Sequence, residues 1–181
     1  MIRTLLDGLY LFAGYLAGVF LIGIFLLMMI LSLGREFGIN IAAGDDYAAW
    51  SMAAMAFLGL AHTFRSGELI RIGLVLDRLP VGARRGVEIL CLVIGTAVVG
   101  FFAWYAVHMT YDSWRFNDMS QGAVAVPLWF PQLGYSIGLT ILAIAFIDEL
   151  VHVLKGRAPR YEKPRAETPE EIVNRAAESG L

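Results

Sequence analysis

Residues 9–33 form a run without one charged side chain, and this run limits the chain more than any other feature. A helix crosses a hydrocarbon core of about 30 Å with roughly 20 apolar residues. At a rise of about 1.5 Å per residue, this run reaches roughly 37 Å, enough to span with some tilt. A secretory leader has an apolar core of only about 7–15 residues, so the run reads as a retained anchor. Three more charge-poor blocks follow, at residues 47–64, 89–111 and 123–147. Charged residues make up only 17% of the chain and crowd between the blocks, which is the pattern of a polytopic membrane protein rather than a soluble domain.

The expected fold is therefore an all-α integral membrane protein. It has four transmembrane helices plus an amphipathic interfacial helix between the second and third. Residues 1–155 form the membrane domain and 156–181 a charged tail. The second block, rich in Ala, Met and Gly, is less apolar than the rest. Small residues let helix backbones approach closely, so this span is expected to be enclosed by others. Pro127 and Pro131 fall in the first turns expected for the fourth span, where their missing N–H groups cost nothing.

Lys and Arg orient the spans. Arg65, Arg71, Arg78, Arg84 and Arg85 lie between the second and third blocks. Six more follow the fourth, and Arg3 precedes the first. The other two loops hold only Arg35 and Arg115, beside the acids Glu36, Asp45, Asp46, Asp112 and Asp118. The expectation is a bacterial inner-membrane protein with both termini cytoplasmic. Trp50, Trp114 and Trp129 lie near the expected outer ends of spans, and Trp104 lies deeper.

Residues 67–79 have Ile70, Leu74 and Asp77 at helical spacing, as well as Arg71, Val75 and Arg78. This reads as a helix in the interface plane, with Arg heads toward phosphates. A connector helix packed on the bundle is the alternative. In the tail, Thr168, Pro169 and Glu171 form a helix-start pattern for a short helix over 169–178.

Chemistry-bearing motifs do not emerge. No nucleotide loop, zinc-protease or nucleophile-elbow pattern occurs, and no cofactor is implied. His62, His108 and His152 lie far apart in the chain, and Cys91 reads as a small packing residue. No basic patch with interleaved aromatics suggests nucleic acid. Asp148 and Glu149 read as wetted end-of-helix acids or as partners of inner-side arginines. Gly14 with Gly18, and Gly134 with Gly138, have the spacing that permits tight helix contact.

Two stretches carry a family likeness. Residues 44–72 combine an acidic start (Asp45, Asp46), a Phe57-Leu58-Gly59 core, an Arg65/Gly67 turn and an Ile70-Arg71-Ile72 amphipathic entry. Residues 126–134 read Val-Pro-Leu-Trp-Phe-Pro-Gln-Leu-Gly. Together they resemble the small permease subunit (DctQ-type) of tripartite ATP-independent periplasmic (TRAP) transporters, over roughly residues 5–155. Many members have His where this chain reads Glu68-Leu69, and often Glu where it has Asp46.

The resemblance implies a non-catalytic subunit that braces a large permease subunit (DctM-type) and helps dock a periplasmic substrate-binding protein (DctP-type), for sodium-coupled uptake of an organic acid. On that reading, Arg35, Glu36, Asp45, Asp46, Arg115, Asn117 and Asp118 are docking candidates, against the plainer reading of solvated loop charge. Arg65, Glu68, Arg71 and Arg78 are candidates for contact with phospholipid or the large subunit. A small membrane enzyme acting on lipid and a stand-alone assembly factor are the competing classes.

Overall fold

A computed structural model describes residues 2–39, 41–66 and 81–156. Among them are four helices: α1 (Ile2–Glu36), α2 (Gly44–Arg65), α3 (Val81–Arg115) and α4 (Trp129–Leu154). No strand occurs among the described residues, only an isolated bridge between Met119 and Pro127. Three segments, Leu5–Glu36, Arg85–Arg115 and Trp129–Leu154, are long and apolar enough to cross a membrane. In hydrocarbon each backbone N–H and C=O must be satisfied within the segment, which a helix achieves. The expected interfacial helix at 67–79 and the tail helix at 169–178 lie outside the described residues.

Helix ends follow local chemistry. α1 closes in a Schellman motif: Gly38 has φ +72°, its N–H bonds the Arg35 carbonyl at 3.1 Å, and the Ile39 N–H bonds Gly34 at 2.8 Å. α3 ends the same way with asparagine in the left-handed position, Asn117 at φ +52°, and the Asp118 N–H on the Ser113 carbonyl. α2 has no side-chain cap, but Asp45 and Asp46 sit in its first turn, where the helix dipole favours negative charge.

The helices stand in a row rather than closing into a bundle. α1 packs on α2, α2 on α4, and α4 on α3, while α1 touches α4 only marginally. Directions follow from the contacts. Gly14 meets His62 and Gly44 meets Leu31, so α1 and α2 are antiparallel. Gly134 meets Ala54, Gly138 meets Phe57 and Leu58, and Phe64 stacks on Phe146 at 4.1 Å, so α2 and α4 run parallel. Gly95 meets Phe146, and Thr110 bonds Ser136, so α3 is antiparallel to α4.

The core is the seam along this row. Tyr10, Ala13 and Ala17 of α1 meet Ala54, Leu58, Ala61 and Phe64 of α2, which in turn meet Ile141, Leu142 and Ala145 of α4. The α2–α4 contact is closest at Gly138, where an added Cβ would lie 2.5 Å from the Phe57 carbonyl carbon. Only glycine admits that approach. α2 lies between two neighbours, so it needs less apolar surface than an edge helix. This explains why it is the least membrane-like of the four by composition.

Three local expectations need correction. α4 begins at Trp129, not near Ala123, because residues 123–128 belong to a hydrogen-bonded loop; Pro127 precedes the helix and Pro131 lies in its first turn. Cys91 is exposed rather than packed, since α3 has a neighbour on one side only. Glu149 is not wetted: it is 3% exposed.

Candidate functional site

The alternating helices put two sets of polar residues at opposite ends of the row. One end gathers the C-terminal ends of α1 and α3 and the N-terminal ends of α2 and α4. All seven docking candidates lie here. Arg35 reaches Asp45 at 3.4 Å, linking α1 to α2. Both side chains are largely exposed, so the pair contributes little to stability. Asp46 is half-buried under the α3–α4 connection; its carboxylate abuts Gly122, and an added Cβ there would overlap it. Glu36, Arg115, Asn117 and Asp118 are exposed, and the Arg115 guanidinium lies 5.7 Å from the Phe116 ring centre.

The α3–α4 connection holds its own shape. The Ser120 N–H donates to the Val126 carbonyl at 2.8 Å, and the Ser120 hydroxyl donates to the Val124 carbonyl at 3.0 Å. The Val126 N–H donates back to that hydroxyl at 3.1 Å, and the Leu128 N–H reaches the Asp118 carbonyl at 2.9 Å. One serine therefore organises the turn. The result is a preformed platform that presents Arg115, Asn117 and Asp118 beside the exposed apolar side chains Phe116, Met119 and Val124. Exposed apolar groups ringed by charge are the composition of a protein-contact surface.

The other end is built on Arg65. Its Nη2 donates to Asp7 Oδ1 at 2.8 Å, and its Nη1 lies 3.9 Å from Glu149 Oε2. One guanidinium on α2 thus links α1 and α4. Tyr10 and His152 are buried in the same region of the fold. Charges inside a largely apolar layer persist only when compensated, and this arrangement compensates Glu149. Glu68, Arg71 and Arg78, grouped with Arg65 as candidate contacts, lie outside the described residues.

Of the two acids that meet Arg65, Asp7 is not marked in a linear reading of the sequence, whereas Glu149 reads either as a wetted end-of-helix acid or as a partner of inner-side arginines, and the structure bears out the second. Helical periodicity carries the signal. Glu149 continues the stripe of Gly138, Leu142 and Ala145 that faces the core, and Asp7 precedes Tyr10 and Gly14 at the spacing of one helix face.

Of the glycine pairs, Gly134 and Gly138 both meet α2; Gly14 meets His62, whereas Gly18 faces open space. The three histidines sit on three different helices. His62 lies against Gly14, His108 is exposed with Nδ1 3.1 Å from the Trp104 carbonyl, and His152 is buried. Among the described residues, no group of His, Cys, Asp and Glu is arranged to hold a metal ion.

Sequence comparison places the chain in a family. Residues 24–156 match the family described as tripartite ATP-independent periplasmic transporters, DctQ component. The chain is also 26% identical, over 103 residues, to the ectoine TRAP transporter small permease protein TeaB of Halomonas elongata. That alignment covers 57% of this chain and 53% of the relative, so the chain spans about half the length of the protein it matches. With the family match extending from the middle of α1 to the end of α4, the chain belongs to the DctQ family of small TRAP transporter permease subunits.

Proposed function

We propose that this chain is the small membrane subunit of a tripartite transporter. It braces a large DctM-type permease subunit and helps dock a DctP-type periplasmic binding protein, for sodium-coupled uptake of an organic acid. The family match over residues 24–156 carries this reading. The open row supports it, because the apolar flanks of α1 and α3 are left for lipid or for another membrane subunit. The relative's name ties that protein to ectoine. The organic-acid class proposed here follows from the family resemblance.

The proposed topology has four crossings of the bacterial inner membrane, with α2 as an enclosed crossing and both termini cytoplasmic. The Arg65 end then faces the cytoplasm, as the distribution of Lys and Arg favours. The platform at 115–128, with Arg35, Glu36, Asp45 and Asp46 beside it, faces the periplasm and forms the docking surface. The segment 67–79 lies along the inner interface, with Glu68, Arg71 and Arg78 toward headgroups or the large subunit.

Affinity purification of the tagged protein from its native membrane tests the central claim. A large polytopic subunit should co-purify; a homogeneous homo-oligomer without one would contradict it. Topology is tested with single cysteines in a Cys91→Ser background. Gln121→Cys should react with an impermeant maleimide in intact spheroplasts, and Gly156→Cys only after lysis.

A further inference from the structure

α3 and α4 do not pack evenly. They are close where Gly95 receives the Phe146 ring and where Thr110 meets Ser136. Alongside that seam an open groove of about 420 Å³ runs from Thr140 and Ile141 to Trp114 and Trp129. The two hydroxyls on its floor are engaged within the seam. Thr110 Oγ1 and Ser136 Oγ lie 2.6 Å apart, and both reach the Ala106 carbonyl, at 2.9 and 3.1 Å. The Thr140 hydroxyl donates to the Ser136 carbonyl at 2.8 Å. The floor thus offers no spare donor, and apart from the Tyr111 hydroxyl and the two indoles at the mouth the walls, including Val107, Leu133 and Ile137, are apolar.

Length and rim identify the occupant. From Ile141 to Trp129 the groove follows about 18 Å of helix. One leaflet contributes about 15 Å, half of the hydrocarbon core, whereas a partner helix would use the full thickness. The groove opens at two tryptophans, the side chain favoured at the headgroup level. Arg115 follows Trp114 directly and makes no ion pair among the described residues, with either Asp112 or Asp118. We propose that this groove holds one acyl chain of a membrane glycerophospholipid, whose phosphate sits at Arg115. The site lies away from the Arg65 end of the molecule and shares Arg115 with the docking platform, but none of that platform's exposed apolar side chains.

The test is native mass spectrometry of the detergent-purified full chain, with retained phospholipid identified after release. The wild-type protein should keep a phospholipid through purification. Val107→Trp, on the α3 wall that belongs to this groove and not to the cavity between α4 and α1–α2, and Ile137→Trp, on the α4 wall that borders both, should each lower retention about tenfold or more, because each buried methylene contributes separately. Val98→Trp, exposed on α3 outside the groove, should retain lipid as wild type does, and thermal unfolding should confirm that all three remain folded. Arg115→Gln should lower retention severalfold. Equal retention in Val107→Trp and wild type, or no retained phospholipid in the wild type, would overturn the proposal. So would loss of a co-purifying membrane protein, rather than of lipid, on Val107→Trp. Unchanged retention in Arg115→Gln would overturn the assignment of the headgroup.

Discussion

Single residues decide how near the helices come. Gly138 lies so close to the α2 backbone that even a methyl group must displace a helix, whereas Gly18 faces open space. Gly138→Ala should therefore destabilise the protein by about 1–3 kcal/mol, the usual range for overpacking, and Gly18→Ala should leave stability unchanged or slightly raised. Thermal unfolding in one detergent compares the two. The Gly134/Gly138 spacing was visible in the sequence as a contact motif, but its partner was not, because spacing states only that something comes close. Arg65 is the second decisive residue. Arg65→Ala removes the hydrogen bond to Asp7 and one compensating charge from buried Glu149, at an expected cost of about 2–3 kcal/mol. Glu149→Gln, which keeps the shape and removes the charge, should cost less. The linear sequence leaves Glu149 between a wetted acid and an arginine partner because it stands near a helix end; its place on the core-facing stripe is what buries it.

At the level of elements, the α3–α4 connection carries the most specific expectation. The run 123–126 is apolar and so was read as the start of a span, yet Ser120 draws it into a turn of side-chain and backbone hydrogen bonds. Hydropathy registers side chains and is blind to such backbone bonding. If the platform is the docking surface, Ser120→Ala should loosen it and Gly122→Val should drive it off Asp46. Both should weaken capture of the binding protein severalfold while the large subunit still co-purifies, as judged by surface plasmon resonance on the purified membrane complex. The helix ends carry a local signal of their own. Gly38 and Asn117 take left-handed positions that favour these two residue types, and both stand just past the last helical turn.

For the whole molecule, charge-poor blocks anticipated four helices and alternating direction, but not their neighbours. The order α1, α2, α4, α3 depends on which small residues face which backbones, and each apolar helix offers several choices. The open row has a functional corollary: among the described residues, no enclosed path runs between helices that face each other across a bundle. On the proposed reading, the purified small subunit in proteoliposomes should show no sodium-dependent uptake, and uptake should require the large subunit and the binding protein together. Uptake by this chain alone would contradict that division of labour.

The parallel alignment of α2 and α4 has a consequence for assembly. α1 with α2, and α3 with α4, are each antiparallel hairpins whose members are consecutive in the chain. The two hairpins meet almost entirely where α2 lies against α4, so that seam cannot form until the fourth helix has been synthesised. On the proposed four-crossing topology the molecule is two inserted halves that dock side by side, and the bond between them is noncovalent apart from residues 67–80. Leaving that stretch out and expressing residues 1–66 and 81–181 as separate polypeptides should yield halves that find each other in the membrane, recovered together on one affinity tag. Gly138→Leu should abolish the reunion while each half still inserts.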